Sequence, residues 1–408
     1  MANIMKKPAI RFKGFTDAWE QRKFGDLGSV AMCKRIFKEQ TTATGEIPFY
    51  KIGTFGGEPD AFISRELFEE YRAKFSYPEV GDMLISASGT IGRTVEYTGK
   101  DEYFQDSNVV WFKHDDRIDN SFLRCIYSIV EWLGIEGSTI KRLYNDNFLK
   151  TEFMLPCVAE QSKVGSFFSR LDNLITLHQR KYDKLVNVKK SMLEKMFPKN
   201  GSDVPEIRFK GFTDAWEHRK LGDLMEITSV KRIHQSDWTD SGVRFLRARD
   251  IVAVSKNEKV SEPLFISQEK YDEYSALSGK VKIGDLLVTG VGTIGVPMLI
   301  NNEEPLYFKD GNIIWFKNED RIDGRFFYHS FSGSFIQNFI KESAGTGTVG
   351  TYTIESGKKT PIFLPTQKDE QKQVGAYFTQ LDNLITLHQR KLEKLKNIKK
   401  SMLEKMFV

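Results

Sequence analysis

The sequence LDNLITLHQRK occupies residues 171–181 and returns letter for letter at residues 381–391. Other blocks repeat in the same order: RFKGFTDAWE (11–20, 208–217), KKSMLEKMF (189–197, 399–407), and more loosely GDMLISASGTIGR (81–93) with GDLLVTGVGTIGV (284–296) and VVWFKHDDRID (109–119) with IIWFKNEDRID (313–323). The offset between the copies drifts from 197 to 210, so the loops differ in length while the elements persist. The chain is therefore a tandem duplication.

The repeated LDNLITLHQRK block belongs to a long helical pattern. Residues 160–197 contain no proline, and their apolar or weakly polar residues recur at spacings of three and four. This pattern predicts an amphipathic helix of ~38 residues, roughly 57 Å long. The spacing of its apolar residues is close to the heptad repeat of a coiled coil. Such a stripe needs a partner, and its duplicate supplies one. The predicted helix-pair core is Leu171, Ile175, His178, Tyr182, Leu185, Leu381, Ile385, His388, Leu392 and Leu395.

The residues before each helix differ in kind. They contain short β-rich runs, among them residues 83–86 and 286–289, separated by Gly, Asn and Asp turns. We predict an α+β chain with pseudo-two-fold internal duplication, in which two similar α/β domains are separated by two long antiparallel coiled-coil helices. The predicted boundaries are 1–158 for the first domain, 159–197 for the first helix, 198–206 for a linker, 207–367 for the second domain and 368–408 for the second helix.

Composition narrows the class of protein. The chain of 408 residues has 40% hydrophobic residues and a formal net charge of +5, which excludes a disordered protein. Each long helix carries eight basic and four acidic residues, so the rest of the chain has a net charge of −3. Only three cysteines occur, widely spaced, so no disulfide framework or CxxC zinc site is expected. No segment resembles a signal peptide or a membrane span, and we expect a cytoplasmic protein.

Motifs of catalysis are missing from the sequence. There is no GxxxxGK[ST] phosphate loop, no dinucleotide-binding GxGxxG, no Asn/Asp-Pro-Pro-aromatic tetrapeptide of an amino-methyltransferase and no HExxH. None of the six histidines belongs to a close His/Cys/acid cluster. We therefore predict that this chain is not an enzyme and holds no metal or cofactor of its own.

Two local signals admit both a structural and a functional interpretation. GTIG follows a strand-like run at residues 89–92 and again at 292–295; its glycines either form a turn or let the backbone approach a ligand. Short basic patches either form a solvated surface or contact nucleic acid. The loops at 34–60 and 231–257 bear little likeness to each other, although the scaffold around them is nearly the same. Two domains of this kind should recognise two different things.

These residues together resemble the specificity (S) subunits of type I restriction-modification systems. The resemblance rests on RFKGFTDAWE, on GDxL followed by GTIG, on the LP…EQ junctions (LPCVAEQ at 155–161, LPTQKDEQ at 364–371), and on the LDNLITLHQRK and KKSMLEKMF helices, and it covers essentially the whole chain. It implies two target recognition domains, each reading one half of a bipartite sequence in double-stranded DNA. The helices would set the spacer and hold two modification (methyltransferase) subunits, with restriction (translocase/nuclease) subunits joining them. S-adenosylmethionine, ATP and magnesium would belong to those partners, and no membrane is involved.

The resemblance does not supply base-reading residues, because the target-reading loops are the variable part of the family. We therefore choose candidates by chemistry, as loop residues able to bond base edges or phosphates. Lys51 and Arg247 fall at comparable positions after an apolar run, and Thr90 and Thr293 are candidates for contacts to the DNA backbone. The full set of predicted DNA-binding residues is Lys34, Arg35, Lys51, Ser88, Thr90, Arg93, Lys141, Arg142, Tyr144, Lys231, Arg232, Arg247, Arg249, Thr293, Tyr352 and Lys358.

A second hypothesis belongs to another class of protein. A coiled-coil protein–protein scaffold with two adaptor domains and no role on DNA would have the same architecture. The net charge of −3 outside the helices favours this alternative slightly. The divergent loops with basic residues on one scaffold oppose it.

Overall fold

The computed structural model describes residues 7–135, 141–199, 201–344 and 350–408. The chain folds into two compact units. Unit 1 comprises Met1–Leu177 together with Leu392–Val408, and unit 2 comprises His178–Lys391. The long helices thus contribute to both units, whereas the predicted boundaries assign them to separate segments.

In the described residues of unit 1, the globular part combines short strands with three α-helices. Its strands are β1 Glu20–Lys23, β2 Gly28–Ala31, β3 Ile47–Tyr50, β4 Phe62–Ile63, β5 Met83–Ser86, β6 Thr94–Glu96, β7 Tyr103–Phe104, β8 Val109–His114 and β9 Glu152–Leu155. Its helices are α1 Arg65–Lys74, α2 Asn120–Ile129 and α3 Asn145–Lys150. The strands form an antiparallel sheet β2-β8-β5-β6, a sheet β4-β3-β7 with the parallel pair β3 and β7, and a ladder β1-β9.

Unit 2 repeats this plan with a few additional elements. Its strands are β10 Glu217–Lys220, β11 Glu226–Thr228, β12 Trp238–Thr239, β13 Val243–Leu246, β14 Leu264–Ile266, β15 Leu286–Thr289, β16 Pro297–Leu299, β17 Leu306–Phe308, β18 Ile313–Lys317 and β19 Pro361–Leu364. Its shorter helices are α5 Leu221–Leu224, α6 Ala248–Ser255, α7 Gln268–Ser278, α8 Gly324–Ser332, α9 Ser334–Ser343 and α10 Ile354–Lys359. The sheets β11-β18-β15-β16 and β10-β19 match those of unit 1 in order and direction, and the sheet β12-β14-β13-β17 matches β4-β3-β7 with the strand β12 added at its edge.

The GDxL block forms a central strand of the larger sheet in each unit. Every residue of β5 and of β15 is buried, because both faces of these strands are covered. Continuous apolar runs of this length are typical of strands buried on both faces. The strands predicted at residues 83–86 and 286–289 are therefore confirmed, and so is the mixed α/β character of both domains.

Both long helices form as continuous elements. The first, α4, spans Val158–Lys195 in 38 residues, and the second, α11, spans Lys368–Met406 in 39 residues. Within unit 1, the N-terminal part of α4 packs against the C-terminal part of α11, where Lys399 Nζ lies 2.6 Å from Asp172 Oδ1. Within unit 2, Lys189 of α4 makes the corresponding ion pair with Asp382 of α11. In each unit the two helices are therefore antiparallel.

The predicted helix-pair residues differ in how deeply they are buried. Leu171, Leu381 and Leu392 are buried, whereas the other seven are partly exposed. His178 and His388 face each other with 2.8 Å between their Nδ1 atoms, so one imidazole donates a hydrogen bond to the other. Burial and the neighbouring His178 lower the pKa of His388, which favours the neutral form.

The repeated RFKGFTDAWE block opens each domain by binding a buried carboxylate on the long helix. Arg11 donates two hydrogen bonds of 2.7 Å to Glu160, and Trp19 Nε1 donates a third to the same carboxylate at 3.1 Å. In unit 2, Arg208 and Trp216 make the same contacts with Glu370. The arginine and the tryptophan of the motif, together with the glutamate of the LP…EQ junction, thus form one structural site in each domain.

Candidate nucleic-acid interface

Arg35 is one of the most exposed cations among the predicted residues of unit 1. It follows β2 in the sequence, and 60% of its side chain is exposed. Its Nε donates a hydrogen bond of 2.8 Å to Asp106 Oδ2. The preceding Lys34 is fixed through its carbonyl oxygen, which accepts a 3.1 Å hydrogen bond from the Tyr103 hydroxyl, and its Nζ lies 5.0 Å from the centre of the Phe75 ring. Two of the predicted residues are thus held at one place on the surface.

Unit 2 builds the same arrangement around Lys231 and Arg232. The Tyr307 hydroxyl donates a 2.7 Å hydrogen bond to the Lys231 carbonyl oxygen, and the Arg232 guanidinium lies 3.7 Å from Asp310. Burial raises the pKa of both Tyr103 and Tyr307, so the two phenols stay neutral donors. The two domains therefore present a Lys-Arg pair with the same supports.

Lys51 and Arg247 occupy equivalent positions but have different environments. Each directly follows the strand that pairs in parallel with β7 or β17. Lys51 makes a surface ion pair of 2.9 Å with Asp60. The Arg247 guanidinium instead donates to the buried carboxylate of Asp250 and, at 2.7 Å, to the Glu262 carbonyl oxygen. Arg247 is therefore held within its own domain, and a contact between it and DNA stays a prediction.

The GTIG segments form tight turns after the central strands. Ser86 Oγ accepts a hydrogen bond from the Arg93 amide at 2.9 Å and donates to the Thr90 carbonyl oxygen, and Thr289 does the same in unit 2. Gly89 and Gly292 have φ values of +67° and +69°, which glycine adopts without strain. The structural interpretation therefore accounts for the glycines. Thr90 and Thr293 are exposed on these turns, where a contact with DNA is sterically open.

Two distant segments of unit 1 meet the first GTIG turn. The Gly89 amide donates a 2.9 Å hydrogen bond to the Lys141 carbonyl oxygen, and Ser88 forms a β-bridge with Arg142. The Arg93 guanidinium donates to the Phe55 carbonyl oxygen at 2.9 Å, four residues after Lys51. Six predicted residues thus lie on joined segments around this turn: Lys51, Ser88, Thr90, Arg93, Lys141 and Arg142. Tyr144 follows the same segment and is half-exposed.

The prediction for Tyr352 is wrong as a surface contact. The side chain is 2% exposed, and its hydroxyl shares a hydrogen bond with Thr360 inside the core of unit 2. The Tyr352 amide donates a hydrogen bond to the carbonyl oxygen of Gly290, which joins the segment containing Tyr352 to the residues just before the second GTIG turn. Ser88 is only 4% exposed, so its side chain is equally inaccessible, although its backbone forms the bridge to Arg142.

The remaining predicted residues of unit 2 lie at its surface. Arg249 is 55% exposed and its Nη2 lies 3.2 Å from Glu262 Oε2, while Lys358 on α10 pairs with Glu355. These are exposed ion pairs, which are weak and easily exchanged for another anion. Both cations are therefore accessible to DNA, and their role there stays a prediction.

Sequence reasoning missed the residues that support the Lys-Arg pairs. These are the phenols of Tyr103 and Tyr307 and the carboxylates of Asp106 and Asp310. A signal was present, since FQDSN at 104–108 and FKDGN at 308–312 share the aspartate in otherwise different loops. Among the described residues no group of three or more His, Cys, Asp or Glu side chains could hold a metal ion. Within the same ranges no helix has the length and apolar character needed to span a membrane.

The fold and this surface define a class of protein. Two domains share one scaffold, carry different exposed loops and are attached to a pair of long helices, which is typical of a two-site recognition protein. The sequence profile of the type I restriction modification DNA specificity domain matches residues 16–187 and 213–397. The chain therefore belongs to that family, the specificity subunits of type I restriction-modification systems. This membership supports the specificity-subunit interpretation and not the adaptor scaffold.

Individual relatives agree with the family assignment. The chain is 54% identical over 153 residues to a protein of Haemophilus influenzae described as a type I restriction enzyme specificity subunit, S.HindORF215P; the alignment spans 37% of this chain and 40% of that relative. It is 25% identical over 347 residues to the type I restriction enzyme MjaVIII specificity subunit of Methanocaldococcus jannaschii, covering 79% of this chain and 74% of the relative. The crystal structure of a type I restriction-modification S subunit from M. genitalium matches the fold with a TM-score of 0.59 at 15% identity, over 99% of both chains.

Proposed function

We propose that this chain is the DNA-reading subunit of a type I restriction-modification complex, in which each globular domain reads one half of a bipartite target in double-stranded DNA. The observation that carries this proposal is the contrast between scaffold and loops. Apart from the additional strand β12, the sheets of the two units have the same order and direction, whereas the loops at 34–60 and 231–257 have little sequence in common. Because sequence is read by side chains on base edges, domains with different loops should read different bases.

The docking of the modification subunits is proposed on the exposed face of the long helices. Leu174 and Leu177 of α4 are 44% and 46% exposed, and their duplicates Leu384 and Leu387 of α11 are 43% and 45% exposed. Large apolar side chains that remain exposed at the same positions in both copies indicate an interface rather than chance. Two identical faces fit two copies of one partner, as the family resemblance implies.

The length of the helices is proposed to set the spacer between the half-sites. At ~1.5 Å per residue, the 38 residues of α4 extend roughly 57 Å. Matched insertions of four residues within 182–188 and 392–398 add about one turn, or ~6 Å, so the preferred spacer should grow by one or two base pairs. A four-residue insertion at 201–204, outside the helices, is the control and should leave the spacer unchanged. An unaltered spacer after the helical insertions would show that the length of the helices does not set the distance between the half-sites.

The chain itself is proposed to be non-catalytic. The sequence contains no nucleotide-binding or methyltransferase motif, and the chemistry that uses S-adenosylmethionine, ATP and magnesium is assigned to modification and restriction subunits. We propose that the complex acts on DNA in the cytoplasm.

The decisive experiment is an exchange of the first domain. Residues 1–158 are replaced by the matching segment of another specificity subunit, and the hybrid is expressed with its modification subunit in a host whose methylated motifs are then sequenced. We expect one half of the methylated motif to change and the other half to remain. The reciprocal exchange of residues 207–367 is the matched control and should change only the other half. A change in both halves, or in neither, would contradict the modular function.

A further inference from the structure

The divergent loops at 34–60 and 231–257 share one short identity. KRI occurs at residues 34–36 and again at 231–233, while the residues that follow have little in common. Ile36 and Ile233 are buried, so they anchor the segment to the core of each domain. The basic residues beside them face outward, with Arg35 60% exposed and Arg232 67% exposed. In each domain, therefore, an exposed arginine stands next to a buried isoleucine that fixes its backbone position.

The second half of this arrangement comes from another part of each domain. Asp106 and Asp310 follow β7 and β17, and only 16% and 23% of their side chains are exposed. Each faces the guanidinium of its arginine, at 2.8 Å for Asp106 and 3.7 Å for Asp310. On the same strands, the hydroxyls of Tyr103 and Tyr307 donate hydrogen bonds to the carbonyl oxygens of the lysines that precede Arg35 and Arg232 in the sequence. The pair of aspartate and arginine is thus a built feature found in both copies.

We propose that Arg35 and Arg232 contact DNA phosphates, and that Asp106 and Asp310 are positioning residues that occupy the guanidinium until a phosphate replaces them. Phosphates are the same at every sequence, whereas base edges differ. Domains that read different half-sites can therefore share phosphate contacts but not base contacts. This inference rests on the proposed function, because it assigns roles within the same DNA-binding surface.

The chemistry suits an exchange of anions. An arginine guanidinium binds a carboxylate and a phosphate through the same planar set of donors, so one can replace the other without rearrangement of the arginine. Each arginine is mostly exposed whereas its aspartate is mostly buried, so a phosphate can reach the guanidinium from solvent, and breaking the ion pair costs free energy that the phosphate contact must offset. The aspartates keep the guanidiniums oriented and lower non-specific binding at the same time.

The test measures binding of the full chain, assembled with its modification subunits, to two duplexes by fluorescence anisotropy over a range of salt concentrations. One duplex contains the methylated motif and the other has the motif scrambled. For Arg35→Ala and for Arg232→Ala we expect weaker binding to both duplexes by the same factor. The slope of log K against log salt should become shallower by about 0.9 in each variant. Arg35→Lys keeps the charge and should restore most of the slope.

The aspartate variants should act in the opposite direction. Asp106→Asn and Asp310→Asn should bind both duplexes more tightly, by up to about fivefold, because the competing carboxylate is gone. The effect should be larger for Asp106, whose contact with the arginine is shorter. Arg22→Ala is the matched control, since Arg22 pairs with Glu20 at the surface of the small β1-β9 ladder and should leave the salt slope unchanged.

The possible results separate this inference from the proposed function. If the wild-type complex shows no preference for the motif, the proposed function fails. If the wild type discriminates but Arg35→Ala and Arg232→Ala retain the full salt slope, the phosphate contacts are refuted while the function stands. A changed base preference in one half-site of Arg35→Ala would show that this residue reads bases, which also overturns the inference.

Discussion

Lys399 donates a hydrogen bond of 2.6 Å to Asp172, although 227 positions separate them in the sequence. The same pair occurs in unit 2 as Lys189 and Asp382, each residue being the duplicate of one in unit 1. The first domain is therefore completed by the last residues of the chain, where Phe407 packs against Trp19 and Phe122. Each unit therefore contains the N-terminal part of one long helix and the C-terminal part of the other: α4 and α11 in unit 1, α11 and α4 in unit 2.

The first prediction concerns the buried carboxylate that receives the opening motif. Glu160 is 1% exposed and accepts three hydrogen bonds, from Arg11 and Trp19. Glu160→Ala leaves the guanidinium without its partner, and loss of one member of a buried pair costs about 3–5 kcal/mol. We expect the free energy of unfolding to fall by that amount, measured by denaturant titration of tryptophan fluorescence. Glu152→Ala removes a half-exposed glutamate near Lys23 and serves as the control, with a loss below about 1 kcal/mol.

A second prediction concerns the glycine in the first turns of α4. A Cβ atom on Gly165 would lie 1.9 Å from Ser121 Oγ and 2.7 Å from the Phe122 amide nitrogen, so α2 packs directly on this position. Overpacking of this kind costs about 1–3 kcal/mol or more. That loss exceeds the roughly 1 kcal/mol that alanine gains over glycine in a helix. We expect Gly165→Ala to lower the melting temperature.

The matched control for this prediction lies one residue further along. Ser166 is exposed, and the second copy of the sequence has alanine at the equivalent position, Ala376. Ser166→Ala should therefore leave the melting temperature unchanged or raise it slightly. Gly375→Ala should repeat the loss in unit 2, because its Cβ would lie 2.7 Å from the Phe326 amide nitrogen. If Gly165→Ala melted at or above the wild-type temperature, the close approach of α2 would be wrong.

These residues show which parts of the molecule the sequence could predict. The repeats, the strands around GDxL and the long helices follow from local periodicity, which the sequence displays directly. The partner of each helix end depends on contacts over more than 190 residues, yet the exact duplication made it predictable. The environment of Tyr352 could not be predicted, because its burial depends on a distant segment that contains Gly290, and no local pattern encodes that contact. Arg247 is different: Asp250 lies only three residues away, and the contact that the sequence does not display is the one with the Glu262 carbonyl oxygen.

The third prediction concerns the pH dependence of unit 2. His329 is 2% exposed, and burial, with Lys189 and Arg325 nearby, lowers its pKa to about 3. Asp382, 3.9 Å away, and Thr379 also face the ring. The unfolded chain binds a proton at the usual pKa near 6.5, whereas the folded chain does not. The titration of His329 therefore leaves the free energy of unfolding unchanged above pH ~6.5. As the pH falls from ~6.5 towards 3, proton uptake by the unfolded chain lowers this free energy by up to about 1.4 kcal/mol per pH unit.

The first domain supplies the control for this prediction. Cys125 is equivalent to His329, and burial raises the pKa of its thiol to about 12, so it stays neutral at acid pH. We expect the free energy of unfolding of His329→Cys, measured by urea titration between pH 7 and pH 4.5, to decline less steeply than that of the wild type. Parallel curves for the two proteins would show that His329 does not titrate on unfolding.

The last prediction uses the way in which each domain begins on a helix end. The Ile10 amide donates a 2.9 Å hydrogen bond to the Lys405 carbonyl oxygen, and the Ile207 amide donates one of the same length to Lys195. In the middle of the chain nine residues join Phe197 to Ile207. Fusion of Val408 directly to Met1 would place ten residues between Phe407 and Ile10, so this junction should need no added linker. We therefore expect a circular permutant, joined in this way and opened between the exposed residues Gly201 and Ser202, to fold and to support the same methylated motif.

A permutant opened within β15, between Leu287 and Val288, is the control and should be insoluble, because it cuts a buried, hydrogen-bonded strand. Loss of the motif in the first permutant, with the control behaving as expected, would contradict the equivalence of the two junctions.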